Sequence, residues 1–236
     1  MGKLYIVPTP VGNLEDITLR ALSVLKEVDL ILAEDTRTSS VLLKKYEIGT
    51  RLESYHKFNE HGKTESVCDR IESGLDVALI SDAGTPGISD PGFMLSRECA
   101  RRDIEVITLP GPTAFVPALV SSGLPTDRFV FEGFLPVKKG RQKRMERMKA
   151  EASTMIIYES PYRLVKTLSQ LAQALGPERR AAVCREISKL HEETRRGSLE
   201  DLVQWYSDNS PKGEIVIVVE GADNADRSPE SQSEEE

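Results

Sequence analysis

Apolar residues in this chain gather in short runs, and between the runs they recur at helical spacing among polar residues. A run over 3–8 predicts a strand, and Ile17, Leu19, Leu22 and Leu25 predict a helix over 16–26. Strands follow over 28–33, 51–55, 76–81 and 104–109, with helices over 38–46, 60–73 and 91–102. Buried-looking runs alternating with amphipathic helices are the pattern of a parallel sheet covered on both faces.

Residues 110–125 (PGPTAFVPALVSSGLP) break this rhythm, and a short helix is predicted after Pro112. Strands are then predicted over 128–134, 154–159, 180–187 and 214–220. A basic helix, an amphipathic helix over 162–175 stopped by Gly176-Pro177, and a helix over 199–206 lie between them. The fold class is therefore α/β with two domains: 1–115 on a parallel sheet and 116–221 on a mixed sheet. The acidic tail 222–236 carries no large apolar residue and is expected to be disordered.

Composition narrows the class. The chain has 236 residues, 39% hydrophobic and 29% charged, as in a soluble globular protein. No apolar run approaches the ~20 residues of a membrane span. The start, MGKLYIVPTP, enters a strand without a secretory segment, so a cytoplasmic location is expected. Cys68, Cys99 and Cys184 are widely spaced, form no CxxC pair and read as reduced thiols; no metal set is expected. Net charge is −7, but the tail carries six acids against one arginine and leaves the body at −2. Against that body, 138–149 (KKGRQKRMERMK) hold seven bases and one acid: either a solvated face or a contact for an anionic polymer.

Candidate chemistry sits where strands end. Residues 79–92 (LISDAGTPGISDPG) leave a strand at Asp82 and force a shaped loop, a common way to hold a nucleotide-like ligand at a sheet edge. The segment 8–16 (PTPVGNLED) occupies the place of a phosphate loop but lacks GxGxxG and GxxxxGK[ST], which excludes the usual pyrophosphate grip. Glu34-Asp35-Thr36-Arg37 follows the second strand, where an acid grips a ribose and Arg37 a phosphate, or the pair simply caps the next helix. His56 is either a general base or an ordinary exposed histidine. Thr113, in the segment PGPTA, offers a hydroxyl at a helix start, for a ligand or for the cap alone.

Taken together, GNLEDIT, AEDTR, SDAGTPGISDPG, PGPTA, GFLP and REISKLHEE resemble the tetrapyrrole methylase superfamily, in order over 3–221. Ser81-Asp82-Ala83 stands where porphyrin-type members carry glycine–aspartate–proline, which favours the branch acting on RNA. The resemblance implies two α/β domains of the class III methyltransferase type, with S-adenosyl-L-methionine in the cleft between them, and a homodimer. It further implies 2′-O-methylation of a cytidine in the decoding region of 16S ribosomal RNA, as RNA or as the small ribosomal subunit. By motif position it implies cofactor contacts from Pro10, Gly12, Asp82, Ala83, Gly84, Thr85, Pro86, Thr113 and Ala114, with Phe134, Leu135, Tyr158 and Gly213 from the second domain. Methyl transfer to a hydroxyl needs an aligned acceptor and a proton sink but no metal. Asp35 or His56 is expected as that sink, with Arg37 and Lys57 clamping phosphates. Lys138, Lys139, Arg141, Lys143, Arg144 and Arg147 are expected to bind the RNA. A methylase of a tetrapyrrole precursor and a non-catalytic RNA-binding or assembly factor remain the alternatives.

Overall fold

A computed structural model describes residues 1–222; of the acidic tail, residues 223–236 lie outside the described residues. The chain divides into two compact units, Met1–Thr113 and Ala114 onward.

The first unit runs β1 (Leu4–Ile6), α1 (Leu19–Glu27), β2 (Leu30–Ala33), α2 (Thr36–Lys45), β3 (Leu52–Ser54), α3 (Glu60–Glu72), β4 (Val77–Ile80), α4 (Phe93–Arg101) and β5 (Val106–Thr108). All pairs are parallel and the order is β3-β2-β4-β1-β5. Alternate side chains divide the sheet between two cores. Leu30, Leu32, Val77 and Leu79 pack under α3 and α4 with Val67, Ile71, Leu95 and Cys99. Ile31, Ala33, Ala78 and Ile80 pack under α1 and α2 with Ala21, Leu25, Leu42 and Leu43. The chain leaving β4 thus turns to one face, while its neighbours β1 and β2 send theirs to the other. Such reversals open a crevice at the carboxyl ends of the strands.

Caps fix where the helices start. The helix expected from residue 16 begins at Leu19, because the Thr18 hydroxyl accepts the Ala21 N–H at 3.0 Å. α2 begins two residues before its expected start, because Asp35 caps it. The Cys68 and Cys99 sulfurs lie 3.7 Å apart in the core; both thiols and Cys184 are free and buried.

The second unit runs α5 (Phe115–Ser122), β6 (Phe129–Phe134), α6 (Arg141–Met148), β7 (Thr154–Glu159), α7 (Leu164–Leu175), β8 (Arg180–Arg185), β9 (Glu193–Ser198), α8 (Leu199–Asp208) and β10 (Ile215–Val219). Its sheet is mixed, ordered β6-β7-β10-β8-β9, with β6 parallel to β7 and the other pairs antiparallel. Leu164, Leu168, Leu171, Leu202 and Tyr206 fill one face, and Ala118 and Leu119 of α5 fill the other with Ile156 and Val218. β9 has no counterpart in the hydrophobic pattern. Its residues, ETRRGS, pair with β8 alone at the sheet edge, where charge is the usual guard against further pairing.

Candidate functional site

The loops after β1, β4 and β5 are tied together within the first unit. Thr9 and Gly84 exchange both backbone hydrogen bonds at 2.9 Å, and the Thr9 hydroxyl donates to the Ser81 carbonyl at 2.9 Å. The Thr85 hydroxyl donates to the Pro112 carbonyl at 3.1 Å. Gly84 sits at φ +80°, a conformation that favours glycine, which lets the loop fold back onto Thr9. Gly111 lies so close to Pro8 that a Cβ there would be 2.7 Å from the proline Cβ. These ties bring Pro10, the residues Asp82 to Pro86, and Thr113 to one end of the sheet; Gly12 lies on the exposed part of the first loop. A cavity of about 320 Å³ opens there, lined by Thr9, Pro10, Leu14, Thr38, Ser39, Val41, Leu42, Ser81 and Asp82. The Thr113 hydroxyl is buried without a hydrogen-bond partner. An orphaned hydroxyl beside a folded-back glycine loop fits a polar ligand that supplies the missing partner.

Four carboxylates crowd the same edge, and their environments set them apart. Asp35 accepts the Arg37 backbone N–H at 2.8 Å and holds its guanidinium at 3.1 and 2.7 Å. The hydrogen bond from the Arg37 side chain, aided by that backbone bond, lowers its pKa to about 2. Asp35 thus caps α2 and pairs with Arg37, and a carboxyl held that low is a weak proton acceptor. The Arg37 side chain remains largely exposed while paired. Glu34 is pushed up by burial and by the charge of Asp82. Asp82 is pushed up by desolvation, opposed by the Asp35 N–H it accepts at 3.1 Å. Asp90 is raised to about 7, first by burial, then by the charges of Glu34 and Asp82. Asp90 was visible in the long glycine motif, yet its sequence carries no sign of the neighbours that shift it.

His56 is held by Asn59. Asn59 Oδ1 accepts the His56 backbone N–H at 2.8 Å, which aims the Asn59 amide nitrogen at the Ser54 carbonyl and at His56 Nε2, 3.2 Å away. The Asn59 amide nitrogen thus faces one ring nitrogen of His56 directly. The other, Nδ1, is buried without a partner. The Asn59 side chain therefore holds His56 in place at both its backbone and its ring. Lys57 is exposed beside it.

In the second unit, Phe134 is exposed and meets the Tyr158 ring edge-on at 5.6 Å. Leu135 is buried among Met145, Met148 and Leu168, so its side chain serves the core and only its backbone is left for a ligand. Gly213, at φ +86°, would place a Cβ 2.2 Å from the Glu186 carboxylate. The REISKLHEE segment thus explains this glycine by packing. Lys138, Lys139, Lys143, Arg144 and Arg147 are exposed, with Arg144 paired to Glu132. Arg141 departs from the expected RNA contact: it is buried, donating to Gln170 at 2.8 Å, the Pro136 carbonyl at 3.2 Å and Thr167 at 2.7 Å. Among the described residues no cluster could hold a metal ion, and no helix is long and apolar enough to cross a membrane.

Residues 3–203 match the model of the Tetrapyrrole (Corrin/Porphyrin) Methylases. The chain is 50% identical to the Ribosomal RNA small subunit methyltransferase I of Synechocystis sp., over 96% of this chain and 82% of that one. It is 47% identical to the protein of that name from Escherichia coli O157:H7, over 93% and 78%. The Thermotoga maritima protein of that name is 46% identical, over 94% and 99%. Among solved structures, a uroporphyrin-III-C-methyltransferase from Thermus thermophilus superposes with a TM-score of 0.66 at 22% identity, covering 92% of this chain and 94% of that one. A diphthine synthase superposes with a TM-score of 0.72 at 14% identity, covering 93% and 90%. These two are alike in fold.

Proposed function

The chain belongs to the tetrapyrrole (corrin/porphyrin) methylase family, and from that premise we propose that it carries the methyl group of S-adenosyl-L-methionine to the 2′-hydroxyl of a cytidine in the decoding region of 16S ribosomal RNA. The observation that carries this reading is the near-full-length identity, 46–50% in three organisms, to proteins named for methylating small-subunit ribosomal RNA. Free 16S RNA or the small ribosomal subunit is the substrate, in the cytoplasm, and the acting form is a homodimer.

When bound, the cofactor supplies an electrophilic methyl carbon on a positively charged sulfur. The chain's own part is to bind, align and take up a proton. In this reading the loop Asp82 to Pro86, with Pro10, Gly12, Thr113 and Ala114, holds the donor, and the Thr113 hydroxyl gains the partner it lacks. By motif position, Phe134, Tyr158, Gly213 and the Leu135 backbone are further donor contacts. Glu34, Asp82 and Asp90 crowd negative charge at one edge, and each is raised in pKa. A cation brought there relieves that repulsion. Asp90, at about 7, is the edge group whose affinity for a proton suits a general base near neutral pH. The exposed cations Arg37, Lys57, Lys138, Lys139, Lys143, Arg144 and Arg147 meet the RNA backbone.

Incubation with methyl-labelled S-adenosylmethionine and undermethylated small ribosomal particles tests the reading. Label on one cytidine 2′-oxygen is expected. Label absent from the RNA, or accepted only by a tetrapyrrole precursor, overturns it.

A further inference from the structure

Ser39 holds a hydroxyl that the fold does not use. It lies in the first turn of α2, is 4% exposed, and its Oγ has no hydrogen-bond partner. A helical serine in that situation ordinarily donates back to the carbonyl four residues earlier, as the next residue does: Ser40 Oγ reaches the Thr36 carbonyl at 2.5 Å. The carbonyl available to Ser39, that of Asp35, takes only the Ser39 backbone N–H, at 3.0 Å. An orphaned buried hydroxyl is costly, and such groups call for an explanation beyond the fold.

The explanation is the cavity that Ser39 lines. Pro10, Leu14, Val41 and Leu42 give it apolar walls. Two other polar groups on its wall are already engaged: the Thr9 hydroxyl donates to Ser81, and the Ser81 hydroxyl reaches the carbonyls of Ala83 and Gly84 at 3.3 Å. The Ser39 hydroxyl, the hydroxyl of the exposed Thr38 and the Asp82 carboxylate, whose Oδ1 already accepts the Asp35 N–H, remain. At about 320 Å³ the cavity lies at the small end of ligand pockets. It shares Pro10 and Asp82 with the residues proposed to hold the donor. A hydroxyl and a carboxylate between apolar walls match one flat heterocycle with an amino group on its edge. Enzymes whose chemistry falls on a base take it out of its stack into a pocket, and the same move would fix a ribose beside the donor by holding its base.

We propose that this cavity receives the unpaired base of the RNA substrate, its edge read by the Ser39 hydroxyl and its amino group by Asp82. The proposal rests on the RNA-methylating reading and gives that reading its base subsite. Ser39 is then a specificity residue, kept unpaired in the free protein so that it can pair with the substrate.

Ser39→Ala and Val41→Trp test this. Val41 is 63% exposed, so a larger side chain there narrows the cavity without entering the core. Each variant is compared with the unaltered protein in steady-state methyl transfer to small ribosomal particles, in calorimetric titration with S-adenosylmethionine and in thermal unfolding. Ser39→Ala is expected to raise KM for the particle roughly three- to tenfold, the effect of one hydrogen bond. Its donor affinity should not change, and its melting temperature should stay level or rise, since a lost orphan hydroxyl costs the free fold nothing. Val41→Trp should raise KM further with donor affinity again intact. Donor affinity falling in step with KM assigns the cavity to the donor and overturns the proposal, as does unchanged KM in both variants. A lower melting temperature for Ser39→Ala makes the hydroxyl structural and overturns it too. If the unaltered protein methylates no RNA, the underlying reading fails; transfer by that protein with no effect of either variant sinks the subsite alone.

Discussion

The backbone N–H of Asp35 donates to Asp82 Oδ1 across 3.1 Å, stapling the loop after β2 to the loop after β4. Asp82 therefore does two separable things: it accepts that bond, and it brings charge to the donor loop. Asn keeps an oxygen in place for the bond and removes the charge; Ala removes both. Asp82→Asn should leave the unfolding midpoint nearly unchanged and weaken S-adenosylmethionine binding about tenfold, the scale of one charge-assisted contact. Asp82→Ala should weaken binding at least as much and cost about 1–2 kcal/mol of stability, because the Asp35 N–H loses its acceptor. Calorimetric titration and urea unfolding read the two quantities; equal donor affinity in all three proteins would remove Asp82 from the donor site.

Asp90 gives a pH dependence whose sign follows from its environment. Its pKa in the folded protein is about 7, against an ordinary carboxyl value near 4 in the unfolded chain. Between those values the unfolded chain has lost the proton that the folded protein still holds, so this group's contribution to stability falls as pH rises from about 4 to about 7 and is level above that. Asp90→Asn should remove that fall. The stability difference between the two proteins should therefore change across this window and hold steady above it. Methyl transfer should rise with pH toward about 7 in the unaltered protein and drop by roughly 10²–10⁴ in Asp90→Asn. A full pH–rate profile in Asp90→Asn would take the proton-accepting role away from it.

What the chain declares about itself depends on how local the cause is. The first unit is readable because each strand is an apolar run and each helix buries one stripe; β4, for example, appears as the heart of 76–81 and its two faces divide cleanly between the cores. β9 is unreadable by the same rule, because an edge strand of charged residues has no apolar face to betray it. The site divides the same way. The folded-back loop at Gly84 follows from glycine and proline content, which is local. The fate of His56 depends on an Asn59 amide held by its own second hydrogen bond, and that of Asp90 on Glu34, distant in sequence. Ser39 passed unnoticed because a serine in a helix carries no mark of being unpartnered.

Two glycines make opposite predictions for the same substitution. Gly111→Ala would put a methyl group 2.7 Å from Pro8 Cβ, a partner whose ring cannot rotate away. Overpacking of this kind costs about 1–3 kcal/mol. It should also shift the neighbouring Pro112 carbonyl that the Thr85 hydroxyl grips, and with it donor binding. Gly62 lies inside α3 with nothing within 4 Å of a Cβ. Gly62→Ala should therefore stabilise by about 0.5–1 kcal/mol and leave methyl transfer alone. Chemical unfolding of both variants checks the pair, and a stable, donor-binding Gly111→Ala would refute the close approach.

The basic segment separates into cations that face solvent and one that does not. Glu159 has a fully buried carboxylate that accepts the Thr167 hydroxyl at 2.6 Å, the Ser160 N–H at 2.7 Å and the Arg163 guanidinium at 2.7 Å. Arg141 reaches the same group at 3.9 Å and shares Thr167 with it, anchoring the start of α6 to β7 and α7. Burial lowers the Arg141 pKa, the sign of a charge taken out of water. Removing one partner of such a network costs about 3–5 kcal/mol, whereas removing an exposed cation costs little. Arg141→Ala should thus destabilise by that order and, where folded, leave the salt dependence of RNA binding unaltered. Lys143→Ala and Arg147→Ala should leave stability within about 0.5 kcal/mol and each flatten the log–log salt slope by about 1. The two measurements, unfolding and RNA affinity over a salt series, sort the residues by role. Should Arg141→Ala keep full stability and lose a salt-dependent contact, the buried network would not be what holds α6, and the exposed-face assignment of the segment would have to include Arg141 again.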